Sequence, residues 1–344
     1  MSGAILPKVG QRGMAKALLP AAVAIATGLF CWLATGLLIP ILRRRDMLDY
    51  PNERSSHIAP TPRGGGIAVT GSVLLAWIVL YKAGLVAASA TSIALGTGFV
   101  AVVSWIDDLR GLSPVLRLAA QVAAVTIGVL ALPATHTGLE SWLGPTLYFA
   151  AAALVWVWWI NLFNFMDGID GLAVSEAVTI CGGLLLFDIV GDGAEPIAAP
   201  LTAGVIGAAI GFLVWNWSPA RIFLGDVGSV PLGYLSGFLL LDLAARGQWK
   251  IALILPLYFL ADATITLFRR LLSGERLWEP HRHHFYQQAL RNGLGHAAVV
   301  KRVIAANLLL IGCGWAAENG RAVLSLTAAL VIVAALLVVL ATGR

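Results

Sequence analysis

Long apolar runs separated by short polar segments recur along the whole sequence. A helix needs about 20 apolar residues to cross the hydrocarbon core of a bilayer, and most of these runs approach that length. The pattern predicts an all-α, polytopic membrane bundle of about 11 transmembrane helices, with about 10 as the alternative, forming one domain over residues 1–344. The predicted spans lie near residues 18–42, 65–82, 84–106, 117–133, 146–164, 171–190, 197–217, 229–245, 251–268, 301–317 and 322–342.

Composition agrees with this interpretation. Hydrophobic residues make up 59% of the 344-residue chain and charged residues 12%, and the mean hydropathy is +0.85. These values exclude an ordinary soluble domain, and we expect membrane lipid but no nucleic acid among the partners. Cys31, Cys181 and Cys313 lie inside apolar runs without metal-ligand spacing, which indicates core residues and neither a disulfide framework nor a zinc site.

The distribution of positive charge predicts the orientation. The loops after the odd-numbered spans hold most of the 23 Lys and Arg residues, so this face is predicted to be cytoplasmic, with the N-terminus external and the C-terminus cytoplasmic. Lys8, Arg12 and Lys16 before the first span favour the opposite orientation. A translation start at Met14 in place of Met1 would leave only Lys16 ahead of that span.

The polar motifs fall in predicted cytoplasmic loops near residues 43–64, 107–116, 161–170, 218–228 and 269–300. Asp107 and Asp108 end the third span, and adjacent acids at a membrane edge are suited to divalent metal binding. A solvated helix end with an ion pair from an acid to Arg110 is the alternative.

The second motif closes the fifth span with four oxygen-bearing side chains at steps of three residues. Residues at this spacing stay near one face of a helix, and carboxylate and amide oxygens are the ligands that Mg²⁺ or Mn²⁺ prefers. The four residues are Asn161, Asn164, Asp167 and Asp170.

The third motif is a glycine-rich turn before the eighth span, from Asn216 through Phe223 and Asp226 to Ser229. The free backbone N–H groups of a helix start at this turn would favour phosphate. A tight turn followed by a helix cap is the alternative explanation.

The fourth motif is a basic loop that includes His281, Arg282 and His284. Such a loop could bind zinc or grip a pyrophosphate, and the shortage of further histidines favours phosphate. Within the ninth span, Asp262 lies two helical turns before Arg269, and we expect the two to form a structural pair. Acids for a hard cation, a basic loop for phosphates and spans that could admit a lipid together predict phosphoryl transfer involving a lipid phosphate.

These motifs resemble the polyprenyl-phosphate N-acetylhexosamine-1-phosphate transferases of glycosyltransferase family 4, which include the phospho-MurNAc-pentapeptide translocase of peptidoglycan synthesis. The resemblance covers roughly residues 40–290 and matches the motifs in order and loop position. Residues 51–66, with Arg54, His57 and the turn Pro62-Arg63-Gly64-Gly65, resemble the first cytoplasmic loop of the family.

The resemblance implies a bacterial inner-membrane enzyme that transfers a sugar-1-phosphate from a UDP-sugar to undecaprenyl phosphate and releases UMP. It also implies Mg²⁺, with Mn²⁺ as the alternative, and a homodimer. The implied site residues are Asp107 and Asp108 as catalytic acids, Asp226 and Asn161 as metal ligands, Asn164, Asp167, Asp170, Asn216 and Phe223 at the nucleotide, and Ser229, His281, Arg282 and His284 at phosphate.

Two departures from the peptidoglycan enzymes are visible. Those enzymes typically carry His-His-His-Phe-Glu in the last loop and a Lys after the Asp pair, whereas this chain has His281-Arg-His-His284-Phe-Tyr-Gln and Arg110. The pattern is more similar to enzymes that initiate O-antigen or other surface polysaccharides of the lipopolysaccharide type. The donor sugar stays open among UDP-GlcNAc and 6-deoxy derivatives such as UDP-FucNAc or UDP-QuiNAc.

Three further alternatives stay open at this stage. The peptidoglycan reaction is one, and a proton-coupled transporter is another, although the grouped acids lie at span ends and not near the bilayer midplane. The third concerns mechanism: the lipid phosphate attacks the donor directly, or an Asp attacks first and forms a covalent intermediate. Direct attack is favoured, because a phosphate monoester is already largely anionic at neutral pH.

Overall fold

The computed structural model describes residues 8–51, 59–132, 139–190, 198–276 and 281–343. Its helices are α1 Lys8–Arg44, α2 Gly66–Lys82, α3 Ser89–Arg110, α4 Pro114–Val129, α5 Leu139–Phe165, α6 Leu172–Val190, α7 Ala199–Asn216, α8 Asp226–Leu243, α9 Trp249–Ile254, α10 Leu257–Leu272, α11 Phe285–Arg291, α12 His296–Glu318 and α13 Ala322–Thr342. The strands are β1 Leu48–Asp49 and β2 Thr61–Pro62. Arg54 and His57 lie outside the described residues.

The prediction of an all-α polytopic membrane protein is confirmed. Within the described ranges, 8 helical segments are long and apolar enough to cross a bilayer, and α2 and α4 are shorter apolar helices. Large apolar side chains point outward from several of these helices, including Leu37, Leu95 and Leu154 at 70–72% exposure. A helix that satisfies its own backbone hydrogen bonds can present such side chains to lipid.

The predicted ninth span, residues 251–268, is not one helix. The eighth span continues through a π-helical turn, Ala244–Gln248, into α9, which ends at Ile254. Helix α10 then begins at Leu257, immediately after Pro256. Proline has no N–H and cannot continue a helix from the preceding turn, so it marks the break.

The basic loop also holds more helix than the sequence pattern predicts. Helix α11 occupies Phe285–Arg291, and α12 begins at His296 and not near residue 301. The short α11 has only two turns, which is too few for an apolar period to stand out. Helix α4 likewise begins earlier than predicted, at Pro114, where the hydroxyl of Ser113 accepts a bond from the Leu116 N–H.

The helix ends that carry the motifs gather at one end of the bundle. Strands β1 and β2 pair antiparallel, and the chain after β2 joins the third motif through an Arg63–Phe223 bridge. The Phe223 N–H donates to the Pro62 carbonyl at 2.8 Å, and the Gly65 N–H donates to the Phe223 carbonyl at 2.9 Å. The first loop is therefore clamped onto the start of α8.

The C-terminal end of α13 lies at this same end of the bundle. The amide of Asn292, in the turn after α11, donates to the carbonyl of Ala341 at 2.7 Å. The end of α13 and the turn after α11 therefore lie on one side of the bundle. The assignment of that side to the cytoplasm stays a prediction.

Candidate active site

The two acids that end α3 face different surroundings. Asp108 has a buried side chain, 1% exposed, and its carboxylate accepts hydrogen bonds from the backbone N–H groups of Asp226 at 3.2 Å and Val227 at 3.0 Å. Asp107 instead accepts from the Leu112 N–H at 2.6 Å and lines a cavity. Successive helical residues differ by about 100° around the axis, which explains the divergence.

The start of α8 has no N–H group left for a ligand in its first turn. Asp108 takes the N–H groups of Asp226 and Val227, and the Gly225 carbonyl takes those of Gly228 and Ser229, both at 3.0 Å. The prediction that this helix start offers free N–H groups to phosphate is therefore wrong for this arrangement. The alternative, a tight turn with a helix cap, is what the structure contains.

Asp226 is the centre of the polar cluster. Its Oδ1 lies 3.2 Å from the guanidinium of Arg63 and accepts a hydrogen bond of 3.2 Å from the Asn164 amide. Its Oδ2 lies 3.9 Å from Arg117, which also pairs with Asp107 at 3.3 Å. Arg117 thus brings the carboxylates of the first and third motifs to the same place.

Asn161 and Asn164 both reach this place from the last turns of α5, but their partners differ. The Asn161 amide nitrogen donates to Gln121 at 2.6 Å and to the Val157 carbonyl at 2.8 Å, which leaves its carbonyl oxygen as the ligand group. Asn164 donates to Asp226 and, at 2.8 Å, to the fully buried hydroxyl of Ser229. Ser229 therefore lies behind the cluster, and a phosphate does not reach it in this arrangement.

The helical spacing of the second motif ends earlier than expected. Helix α5 stops at Phe165, so Asp167 and Asp170 lie in the turn that follows and not on the helix face of Asn161. Burial, together with the charge of Asp226, raises the pKa of Asp167 well above its usual range. Asp167 therefore lies within the electrostatic reach of Asp226.

Asp170 turns toward a different part of the chain. Its Oδ2 accepts from the Ala220 N–H at 3.2 Å and pairs with His296 at 3.1 Å. Burial would raise the pKa of Asp170, but the hydrogen bond and charge of His296 outweigh it and lower that pKa. His296 was not identified from the sequence, because it begins a helix without any motif around it.

Asn216 and Phe223 shape the third motif. The buried side chain of Asn216 accepts from the Gly171 N–H at 3.0 Å and donates to the Ile222 carbonyl at 2.9 Å. Phe223 is half-buried, and its backbone joins the first loop as described above. These bonds hold the turn after α5 against the loop before α8.

The basic loop reaches the cluster through two histidines. His284 is buried and His281 is half-buried, with ring centroids 4.9 Å apart, and Arg282 is half-buried between them in sequence. Burial, followed by the positive charges of His284 and Arg270, lowers the pKa of His281 to about 4. His281 is therefore neutral near pH 7 in the ligand-free protein.

The expected pair between Asp262 and Arg269 is wrong. Asp262 is fully buried and bonds to the His284 ring Nδ1 at 3.1 Å. Arg269 is exposed and lies over the ring of Phe285, 4.9 Å from its centroid. Two residues that lie two helical turns apart did not pair here, because Asp262 faces the bundle interior and Arg269 does not.

One cavity of about 620 Å³ joins these groups to an apolar passage between helices. Its polar end includes Asp107, Arg117, Asn161, Asp226, His281 and His284. Its apolar walls include Val100, Val103, Leu118, Leu154, Val157 and Trp158, from α3, α4 and α5. A ligand with a charged head and a hydrocarbon tail matches this division.

The oxygen-bearing side chains of the cavity fit a magnesium site whose coordination is completed by water and substrate phosphates. Within the part of the chain that the structure describes, no group of three His, Cys, Asp or Glu side chains is placed to hold a metal. Mg²⁺ characteristically uses one or two carboxylates with water and substrate phosphates, and not an all-protein cage. Asp107, Asp226 and the Asn161 carbonyl offer such a set, with Arg117 between the two acids.

Sequence comparisons agree with the resemblance carried by the motifs. The sequence model of glycosyl transferase family 4 matches residues 90–244. The chain is 29% identical to the decaprenyl-phosphate N-acetylglucosaminephosphotransferase of Mycobacterium leprae, over 81% of this chain and 79% of that protein. It is 27% identical to the probable undecaprenyl-phosphate N-acetylglucosaminyl 1-phosphate transferase of Bacillus subtilis, over 76% and 75%.

A third relative comes from the peptidoglycan branch. The phospho-N-acetylmuramoyl-pentapeptide-transferase of Renibacterium salmoninarum is 30% identical to the chain, over 74% of this chain and 85% of that protein. The matches span both branches and extend well beyond the motifs. The chain therefore belongs to glycosyl transferase family 4, the polyprenyl-phosphate N-acetylhexosamine-1-phosphate transferase family.

Proposed function

We propose that the protein transfers a sugar-1-phosphate from a UDP-sugar to undecaprenyl phosphate, releasing UMP and forming an undecaprenyl-diphosphate sugar. The observation that carries the proposal is the single cavity in which Asp107, Asp226 and His284 meet an apolar passage between membrane helices. The relatives from Mycobacterium leprae and Bacillus subtilis, which are named as polyprenyl-phosphate sugar-phosphate transferases, support the same class of reaction.

In the proposed reaction, an oxygen of the lipid phosphate attacks the donor phosphorus that bears the sugar. A new phosphorus–oxygen bond forms to the lipid phosphate, the bond to the UMP oxygen breaks, and UMP leaves with its electron pair. The lipid phosphate needs little activation near pH 7, because its second proton is lost near pH 6. Arg117, 40% exposed at the side chain and within the cavity, is placed to hold this phosphate.

Asp107, Asp226 and Asn161 would hold Mg²⁺. When bound, it would neutralise charge on the phosphate oxygens as the reaction proceeds. Arg63 supports the site at the Asp226 oxygen that Arg117 does not approach, and it also pairs with Asp108 at 2.7 Å. The protein residues thereby limit the repulsion among the acids.

The donor would be held by the basic loop and by the turns around it. His281 and His284 lie at the polar end of the cavity, where a diphosphate bridging the two substrates would lie. We place uridine near Asp170, Asn216 and Phe223, where the turn after α5 meets the loop before α8. Initiation of O-antigen or another surface polysaccharide is the proposed role, with an N-acetylhexosamine or its 6-deoxy derivative as the donor sugar.

The test is UMP release by the purified protein in detergent with undecaprenyl phosphate and Mg²⁺. The donors would be UDP-GlcNAc, UDP-GalNAc, UDP-FucNAc, UDP-QuiNAc and UDP-MurNAc-pentapeptide. We expect lipid-dependent release with one N-acetylhexosamine donor, abolished by EDTA and by Asp226→Ala. Asp242→Asn is the matched control, because Asp242 pairs with Arg246 beyond the far end of α8.

The other outcomes are equally informative. Release with UDP-MurNAc-pentapeptide alone would move the protein to the peptidoglycan reaction. A folded preparation that binds UDP but releases no UMP with any donor would contradict the proposed donor class. A sugar-phosphoryl enzyme trapped before lipid is added would overturn direct attack.

A further inference from the structure

The carboxylate of Asp262 has five hydrogen-bond partners at the polar end of the bundle. It is fully buried, and it lies in α10 just after the break at Pro256. Its partners are the His284 ring Nδ1 at 3.1 Å, the Phe285 N–H at 3.0 Å, the Tyr286 N–H at 3.2 Å, the Tyr258 hydroxyl at 3.3 Å and the Thr266 hydroxyl at 3.4 Å.

This arrangement favours a hydrogen on Nδ1 of His284, because a carboxylate oxygen accepts. The two backbone N–H groups can only donate, so the carboxylate of Asp262 accepts from Phe285 at Oδ1 and from Tyr286 at Oδ2. A hydrogen on Nδ1 of His284 would complete the bond of 3.1 Å to Asp262 Oδ1, and it would leave Nε2 as the nitrogen available for a ligand. Because the ring of His284 lines the cavity, the chemistry of Nε2 is what a substrate would meet.

The same carboxylate also fixes the position of the loop. Its bonds to the N–H groups of Phe285 and Tyr286 hold the first turn of α11 against α10. The ring of Tyr286 stacks on His284 with centroids 5.6 Å apart, and its hydroxyl donates to the Phe165 carbonyl at 3.0 Å. A single buried acid therefore links the histidine loop to the end of α5, where the second motif begins.

We propose that Asp262 is a positioning residue for the transfer reaction. It holds a hydrogen on Nδ1 of His284 against its carboxylate, so that Nε2 is directed to the cavity where the donor diphosphate would lie, and it keeps the loop there. The inference rests on the proposed function, because the diphosphate is the proposed ligand of His284. It goes beyond that function by assigning the reaction a residue that touches no substrate.

The test is a double-mutant cycle with separate kinetics for the two substrates. Asp262→Asn keeps the size of the side chain and removes its charge, and His284→Asn keeps a donor near the Nδ1 position and removes Nε2. We expect each single variant to lower kcat/KM for the UDP-sugar at least tenfold, with the KM for undecaprenyl phosphate within twofold of wild type. The loss of kcat/KM in the double variant should be no larger than the loss in the more impaired of the two single variants.

Asp242→Asn makes the same chemical change at a mostly buried acid that bonds to Arg246, away from the cavity, and should keep wild-type kinetics. If the losses of Asp262→Asn and His284→Asn multiply in the double variant, Asp262 acts independently of His284 and the proposal fails. Wild-type kinetics for Asp262→Asn would overturn it as well.

A second measurement needs no variant of Asp262 to fold. Nitrogen NMR of the wild-type protein with labelled histidine, assigned by the signal that His284→Asn removes, reports directly which ring nitrogens carry hydrogen. We expect hydrogen on Nδ1 of His284, and hydrogen on Nε2 alone would overturn the proposal. If wild-type protein shows hydrogen on Nδ1 of His284 but releases no UMP, the proposed function fails and the placement of His284 by Asp262 stands.

Discussion

Asp108 accepts a hydrogen bond of 3.2 Å from the backbone N–H of Asp226, so one acid of the site holds the helix that carries another. The side chain of Asp108 is 1% exposed and faces away from the cavity that Asp107 lines. Two adjacent acids of the same type therefore have different surroundings, which gives a direct test of what each contributes.

We expect Asp108→Asn to lose stability and activity together, and Asp107→Asn to lose activity alone. An Asn at 108 offers one acceptor oxygen where two N–H groups and Arg63 now donate, which should cost about 2 kcal/mol of unfolding free energy. An Asn at 107 can still accept from Leu112, so its unfolding should stay near wild type, with some turnover retained.

Thermal unfolding and UMP release in the same detergent would measure both variants. An Asp107→Asn protein that unfolds as early as Asp108→Asn would contradict the difference in roles. An Asp108→Asn protein with wild-type stability would show that the cap is not needed.

Gly66 is required by the close approach of α2 to the start of α8. A Cβ atom at residue 66 would overlap the backbone of Gly228, which cannot move aside as a flexible side chain can. We expect Gly66→Ala to lower the unfolding free energy by about 3 kcal/mol and to displace Asp226 from Arg63. Gly71→Ala, in the same helix with open space around it, should be neutral or stabilising by about 1 kcal/mol.

The comparison is made by thermal unfolding of the two alanine variants with activity measured in parallel. Equal effects of Gly66→Ala and Gly71→Ala would show that the packing of α2 on α8 is not tight.

Arg63→Gln should lower turnover but also lower the Mg²⁺ concentration needed for half-maximal activity. Arg63 lies 3.2 Å from Asp226 and 2.7 Å from Asp108, so its positive charge opposes a second cation at the same carboxylate. Removing that charge should strengthen Mg²⁺ binding severalfold, although the acids then repel one another. Arg110→Gln, at the exposed end of α3, is the control.

UMP release measured across a range of Mg²⁺ concentrations gives both quantities. A requirement that rises in Arg63→Gln would indicate that Arg63 helps to bind the substrates and not to balance the acids.

The stability of the ligand-free protein should fall as the pH drops from about 6.5 toward 4, partly because of His281. Its pKa is lowered in the folded protein from 6.5 to about 4 by burial and by the nearby positive charges of His284 and Arg270. In this window the unfolded chain binds a proton that the folded chain does not, so acid favours unfolding. We expect His281→Gln to lose less stability than wild type when the pH falls over this range.

Unfolding midpoints of wild type and His281→Gln at several pH values between 4 and 8 provide the measurement. Parallel curves for the two proteins over that range would mean that His281 titrates alike in the folded and unfolded states.

The amino-acid sequence by itself determined the membrane fold and the gathering of the motifs. Helices of about 20 apolar residues are the economical way to cross a bilayer, and every second loop must then return to the same side. Asp107, Asn161, Asp226 and His281 could therefore be expected at one end of the bundle, and the structure gathers them there around one cavity.

Only the tertiary structure decided which atoms meet. Apolar periodicity identifies helices but not how they rotate against one another, so it could not direct Asp107 to the cavity and Asp108 to the cap of α8. The spacing of two helical turns likewise predicted a pair between Asp262 and Arg269. In the assembled bundle Asp262 bonds instead to His284, 22 residues further along the chain. Partners so distant in sequence are set by packing and by the need to satisfy buried polar groups, which act only once the helices have assembled.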